Sequence, residues 1–214
     1  GLNPLTLSLG TGDDFATLSS TAAGTSTTIN AGSGDDSITV TSTDSSLAIN
    51  TGTGVNFVNL SNLPGFNGAV TITGSGSDQL VLDESANHAN ATGSISSTQL
   101  TGLSPATISY TGISILTLTL GSGSNALSVQ SSSANTVLSS GTGTDDVTVG
   151  SAAPADGGVM SGINGTLSVL GNESDTLTLD DSGSSTCKTS TVSAKRVTGL
   201  SPAPVNFTHL ASLT

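Results

Sequence analysis

One short phrase recurs seven times along this chain of 214 residues. Each copy has a glycine turn, an Asp or Asn at a fixed place after the first glycine, and then a run of alternating apolar residues. The copies begin at Gly10, Gly32, Gly52, Gly74, Gly121, Gly141 and Gly171. A repeat of this kind cannot bury its apolar side alone, so it is stabilised by the neighbouring repeats against which it packs.

The spacing of the phrase predicts the fold. Four of the six intervals are 20 or 22 residues, a length that suits one coil of three short strands and three turns. One longer interval has the length of two coils, and another contains the Pro- and Gly-rich stretch 152–162 as an insertion. The sequence therefore predicts an all-β fold, a right-handed parallel β-helix (β-solenoid) with about 20–22 residues per coil.

A longer repeat overlies the short one at an offset of 97 residues. Thr-Gly-Leu-Ser-Pro-Ala begins at Thr101 and again at Thr198, and Asp78 and Asp175 open matching apolar runs. We predict a single β-solenoid domain over residues 1–214, with super-repeat copies at about 67–163 and, in part, 164–214.

The alternation predicts which side chains are buried. Strict period-two patterns are typical of strands with one buried face. The inward pairs are Ile38/Val40, Val58/Leu60, Leu80/Leu82, Leu127/Val129, Val147/Val149 and Leu177/Leu179. The outward column consists of Thr17, Thr39, Asn59, Val81, Ser128, Thr148 and Thr178.

The negative net charge limits the classes of partner that the chain can bind. Fifteen acids oppose three bases, and the formal net charge is −12. The bases, Lys188, Lys195 and Arg196, lie close together in the sequence and form no long basic stripe, which argues against nucleic acid and anionic membrane surfaces as partners. We predict no membrane insertion, because no long apolar stretch is present. Small cations remain the natural partner.

The acids predict a metal site. Alignment of the phrases places one residue of each copy at the same position, namely Asp14, Asp36, Asn56, Asp78, Asn125, Asp145 and Asp175. Stacked carboxylates repel one another unless they are hydrogen-bonded, interrupted by amides or bridged by a hard cation. We predict calcium as the cofactor.

The main candidate ligands for calcium are Asp13, Asp14, Asp35 and Asp36, whose four carboxylates would come together in the first two coils. Asp78, Asp145 and Asp175 are weaker candidates. The alternative is that each Asp caps its own glycine turn by accepting backbone N–H groups, which Asn does equally well.

Residues 32–38, Gly-Ser-Gly-Asp-Asp-Ser-Ile, resemble the G-x-G-x-D-x-U core of hemolysin-type (RTX-like) calcium-binding repeats. The array as a whole resembles the Gly/Asp/Thr-rich β-solenoid repeats of large secreted microbial surface proteins and adhesins. These resemblances imply calcium binding and an extracellular or cell-surface location, with a role as a stalk or in adhesion.

We predict an extracellular structural module and not an enzyme: a stalk, an adhesin segment or a subunit of a head-to-tail filament, with an unidentified cell-surface or glycan receptor. Two alternatives stay open. A polysaccharide-acting β-helix enzyme would need paired carboxylates, for which Asp83 with Glu84 and Asp180 with Asp181 are candidates. An ice- or surface-binding protein would use the outward, Thr-rich column.

The two ends of the sequence predict self-association. Residues 206–214 align with residues 109–117, and the latter lead directly into a phrase like the one that begins at Leu7. A repeat array cut in this way leaves unpaired strand edges. We expect those edges either to continue into further repeats of a longer parent chain or to pair end to end between copies.

Overall fold

The computed structural model describes residues 4–214. It is built of β-strands, apart from a single 3-10 turn at Leu63–Gly65 in this part of the chain. The strands are β1 Leu5–Thr11, β2 Phe15–Leu18, β3 Thr27–Ser33, β4 Ser37–Val40, β5 Leu47–Asn50, β6 Phe57–Ser61, β7 Val70–Asp83, β8 Thr92–Ile95, β9 Gln99–Thr101, β10 Ile108–Thr119, β11 Ala126–Val129, β12 Asn135–Ser139, β13 Asp146–Val149, β14 Leu167–Leu179, β15 Thr191–Ser193, β16 Arg196–Thr198 and β17 Val205–Leu213.

The chain divides into two compact units. The first contains the described residues up to Glu84 together with Thr98–Thr117, and the second contains Ser85–Ser97 together with Leu118–Thr214. The prediction that residues 1–214 form a single domain stays a prediction.

Seven strands of the first unit are joined by parallel pairs. One series runs from β1 through β3 and β5 to the first half of β7, and the other runs from β2 through β4 and β6 to its second half. Leu7 pairs with Ile29, and Ile29 with Ile49, so equivalent positions of successive phrases are neighbours. An antiparallel pair comes next, in which Leu100 of β9 lies opposite Ile108 of β10.

The second unit also combines both kinds of pairing. β8, β11, β13 and the second half of β14 are parallel, as are β12, the first half of β14 and β17. β15 and β16 form an antiparallel hairpin, and β16 in turn pairs antiparallel with β17. No helix among residues 4–214 has the length and apolar character that a membrane span requires.

The predicted inward positions are confirmed. Each unit has an aliphatic core made from the alternating pairs, which are all buried except for the half-buried Leu179. Burial of every second residue is a local property of a strand with one covered face, so the pattern alone was sufficient to predict it.

The predicted right-handed parallel β-helix, or β-solenoid, is wrong. Seven strands have a barrel-like arrangement, and further strands are added to them. The sheet contains antiparallel as well as parallel pairs, whereas a parallel β-helix would contain only parallel ones.

Two local features break the regular coil. The phrases that begin at Gly74 and Gly171 lie inside the long strands β7 and β14, and β14 has register shifts between Leu170 and Asp175. The two Thr-Gly-Leu-Ser-Pro-Ala segments instead connect antiparallel strands, with Gly102 at φ 84° and Gly199 at φ 86°. Glycine adopts this left-handed conformation without a steric penalty, and it allows the chain to reverse direction.

Candidate functional site: the Asp/Asn ladder

In the first unit the aligned Asp and Asn side chains form a hydrogen-bonded ladder. Asp36 Oδ1 accepts the backbone N–H of Asp14 at 2.9 Å, and Asn56 Oδ1 accepts the N–H of Asp36 at 2.9 Å. Asp78 Oδ1 then accepts the N–H of Asn56 at 3.0 Å. Each side chain thus binds the backbone of the preceding repeat, and only a carbonyl-type oxygen is needed, which explains why Asp and Asn interchange.

The preceding residue of the phrase forms a second ladder in the opposite direction. Asp13 Oδ1 accepts the N–H of Asp35 at 2.8 Å, and Asp35 Oδ1 accepts the N–H of Val55 at 2.8 Å. Neighbouring repeats of the first unit are therefore joined in both directions by Asp and Asn side-chain oxygens that accept backbone N–H groups.

The second unit repeats the arrangement. Asn125 Oδ1 accepts the N–H of Ala91 at 3.0 Å, and Asp145 Oδ1 accepts the N–H of Asn125 at 2.6 Å. Asp175 Oδ1 accepts the N–H of Asp145 at 2.9 Å. The same position in the phrase therefore accepts the same type of backbone hydrogen bond in both units.

Asp78 and Asp175 also cap their own phrases. Asp78 Oδ2 accepts the Thr51 hydroxyl and the Ser75 N–H, each at 2.8 Å. Asp175 Oδ2 accepts the Ser140 hydroxyl at 2.7 Å and the N–H of Asn172 at 2.8 Å. These two buried carboxylates show both types of bond, whereas capping of a residue's own turn does not account for the rest of the ladder.

Glycines make the close approach of repeats possible beside the ladder. Gly32 has φ 109° and Gly52 has φ 77°. A Cβ on Gly32 would overlap the carbonyl oxygen of Gly10, and one on Gly52 would overlap that of Gly32. The glycines of the phrase are therefore required by the backbone of the neighbouring repeat as well as by their own conformation.

Three carboxylate oxygens of the ladder are buried without a hydrogen bond, namely Oδ2 of Asp14, Asp36 and Asp145. Burial raises the pKa of Asp145 from its ordinary value of 3.8 to about 6. The hydrogen bonds from Asn125 oppose this shift, and the negative charges of Asp175 and Asp146 add to it. The charge of Asp145 therefore changes close to neutral pH.

The predicted calcium ligands come together only in pairs. Asp14 meets Asp36 and Asp13 meets Asp35, but in each pair a carboxylate accepts the partner's backbone N–H. Among residues 4–214, no three or more His, Cys, Asp or Glu side chains are grouped so that they could hold a metal ion. Calcium takes six to eight oxygen ligands, a set that these contacts do not assemble. Calcium binding, also at Asp78, Asp145 and Asp175, stays a prediction.

One pair of acids proposed for the enzyme alternative holds the 152–162 insertion. Asp180 Oδ2 accepts the N–H of Gly158 at 2.6 Å, and hydrogen bonds led by those from Ser182 lower the pKa of Asp180. Asp181 accepts the N–H of Met160 at 2.9 Å and forms an ion pair with Lys188 at 2.8 Å. The equivalent pair in the first unit consists of a half-buried Asp83 and a fully buried Glu84.

The outward column is in register within each unit but is not an open face throughout. Thr17, Thr39 and Asn59 are neighbours in the first unit, as are Ser128, Thr148 and Thr178 in the second. Ser128 is buried, and it lines a hollow of about 310 Å³ together with Thr148 and Pro154 of the insertion.

Alignment of the phrases found the ladder residues but not their partners. The interchange of Asp with Asn at this position indicated that a side-chain oxygen is needed there and that a negative charge is not. No sequence pattern indicated the hydrogen bonds of Thr51 and Ser140 to the ladder, because neither residue belongs to the phrase.

No protein-family model matches the chain, and no curated protein matches it significantly.

Proposed function

We propose that the chain is a structural module of an extracellular or cell-surface protein. The role of this module is to span a distance and to resist mechanical unfolding. The observation that supports this role is the ladder, in which Asp and Asn side chains bind the backbone of neighbouring repeats. Asp78 alone accepts four hydrogen bonds, two of them from Asn56. A carboxylate engaged in this way is a poor candidate for binding a ligand or transferring a proton.

The arrangement of the ladder favours mechanical resistance. A hydrogen bond to a buried charged group contributes about 1.5–3 kcal/mol, and loss of its partner leaves donors unsatisfied in the interior. Separating two neighbouring repeats breaks such bonds together with the parallel pairs of the strands. Resistance is therefore distributed over the chain and not concentrated at one interface.

The extracellular location is supported by the resemblance to secreted surface proteins. Cys187 is exposed and unpaired, so the fold itself uses no disulfide. Labelling of intact cells of the source with an antibody to this chain tests the location. Signal that arises only after lysis would contradict it.

Single-molecule stretching tests the mechanical role. The chain, placed between marker domains of known unfolding force, should unfold in steps that each release one or more repeats, about 70–80 Å of extended chain per repeat. Asp78→Ala should lower the unfolding force. Asp156→Ala serves as the control, since Asp156 is an exposed loop residue. Extension at forces too low to register, in the unmodified chain, would contradict the proposal.

A further inference from the structure

Two stretches with the same sequence pattern differ in exposure. Residues 5–18 and 116–129 align without a gap, since the phrases at Gly10 and Gly121 have the same form. Leu118 is fully buried, whereas its equivalent Leu7 is 42% exposed. Leu18, at the end of β2, is half-buried, whereas its equivalent Val129 is 1% exposed. Phe15, at the start of β2, is 85% exposed, and its equivalent Ala126 is exposed as well. Exposed apolar residues along a strand edge indicate a surface that another strand can cover.

In the second unit, β8 provides such a cover. Thr92–Ile95 pairs in parallel with Ala126–Val129, and Ile95 is only 2% exposed. Ala126 N–H donates to the carbonyl of Ala91 at 2.9 Å, and Gln130 N–H donates to that of Ile95 at 2.9 Å. The strand that corresponds to β2 is thus covered by β8.

The equivalent of β8 in the second super-repeat is open on one side. Residues 189–192 match β8 at the offset of 97, and the turns at 181–187 repeat those at 84–90. Val192, the equivalent of Ile95, is 63% exposed. It pairs with Val197 of β16 on one edge. A hollow of about 450 Å³ lies along Phe207–Leu213, close in sequence to the hairpin.

We propose that β2 of one copy of the chain docks in parallel on residues 189–192 of a second copy. The register of the β8–β11 pair places Phe15 opposite Thr189 and Leu18 opposite Val192. The contact reproduces between copies the junction that β8 and β11 form within one chain. It joins two different surfaces, so it leaves one of each free and propagates head to tail.

Polar groups at the two surfaces are complementary. Within the second unit the Ala91 N–H donates to Asn125 Oδ1. The equivalent residues in the proposed contact are Lys188 and Asp14. The backbone N–H of Lys188 would therefore donate to the carboxylate of Asp14, whose Oδ2 is buried without a hydrogen bond. The segment 188–196 carries all three bases of the chain and no acid, whereas the first unit carries eight acids and no base. Opposite charge steers such surfaces together.

This proposal rests on the proposed structural role, because it names the partner through which the module extends. The two can fail separately. A monomeric chain that resists stretching would overturn the docking alone, whereas an assembling chain that unfolds at negligible force would overturn the mechanical role alone.

The first test is the mass of the 214-residue chain in solution, measured by light scattering over a concentration series. We expect the mass to rise with concentration, and to rise less at high salt. Phe15→Asp and Val192→Asp should each give a monomer, because each change places a charge in the contact. Val55→Asp is the matched control, since Val55 is 50% exposed and lies on neither surface.

A mixture of the two blocked variants separates docking from unspecific aggregation. The Phe15→Asp variant retains its 189–192 surface and the Val192→Asp variant retains its β2 surface, so the mixture should form a dimer of twice the 20.7 kDa chain mass and nothing larger. A strict monomer for the unmodified chain at the highest attainable concentration would overturn the proposal. Equal loss of mass with Val55→Asp would do the same.

Disulfide trapping tests the register. At the β8–β11 junction, Asn90 Oδ1 accepts the N–H of Ser124 at 2.8 Å, and the equivalent residues between copies are Cys187 and Asp13. The native thiol is exposed and free. Asp13→Cys should therefore give a ladder of reducible multimers on mild oxidation. Asp35→Cys, at the same position of the next phrase, should not. Equal cross-linking of both variants would overturn the register.

Discussion

Asp145 allows the electrostatics of the ladder to be tested by one conservative substitution. Its side chain is fully buried, Oδ1 accepts the N–H of Asn125, and Oδ2 has no hydrogen bond. Burial raises its pKa from 3.8 to about 6. A carboxyl group whose pKa is raised on folding favours the native state at low pH, and this contribution is lost as the pH rises from about 4 through about 6.

The magnitude is set by the size of the shift. About two pH units at 1.36 kcal/mol per unit correspond to about 3 kcal/mol of folding free energy lost between pH 4 and pH 7. Asp145→Asn removes this loss. The amide oxygen can still accept from Asn125, and the new NH₂ group can face the carbonyl of Gly143, just as the Asn125 amide donates to Gly123 at 2.9 Å. We therefore expect the variant to equal the parent chain at pH 4 and to exceed its stability by about 2–3 kcal/mol at pH 8.

Urea unfolding at a series of pH values, followed by circular dichroism, measures the difference between the two proteins. Taking the difference cancels the titration of the other acids. Asp156→Asn is the matched control, and it should track the parent chain because Asp156 is exposed. If Asp145→Asn also tracked the parent from pH 4 to pH 8, or were less stable at pH 8, the assignment of a buried, destabilising charge to this residue would be refuted.

Four further predictions address the backbone, the metal and the core. Gly52→Ala should cost at least about 2 kcal/mol, because the methyl group would overlap the Gly32 carbonyl, and a loss under about 0.5 kcal/mol in urea unfolding would contradict that interpretation. Glu173→Gly should raise the free energy of unfolding by about 0.5–1 kcal/mol, since Glu173 has φ 73°, and an unchanged midpoint would show that the strain is absent. Calcium binding at the predicted site requires that excess EDTA lower the Tm and that added calcium restore it, whereas an unchanged Tm would contradict the predicted site. Val40→Asp should cost several kcal/mol and Thr39→Asp much less, since Val40 is fully buried and Thr39 is not, and equal damage in thermal melts would mean that the faces are exchanged.

The strand faces and the ladder positions could be predicted from the sequence because both depend on local spacing. A period of two in an extended chain sends alternate side chains to opposite faces in any sheet, so Val58 and Leu60 are buried whatever the pairing. Likewise, the fixed place of Asp36 and Asn56 in the phrase makes them equivalent once the phrases lie in register, as they do in the first unit.

The direction of pairing and the partners of the ladder were decided by the tertiary structure. Three-residue strands such as β9 and β16 can pair with the next repeat or with the adjacent strand, and the glycine turns at Gly102 and Gly199 bring them antiparallel to β10 and β17. An Asp beside a glycine turn satisfies its own backbone or that of a neighbour with the same oxygen. Which N–H lies closer depends on how tightly the repeats pack, a distance set by contacts far apart in the sequence.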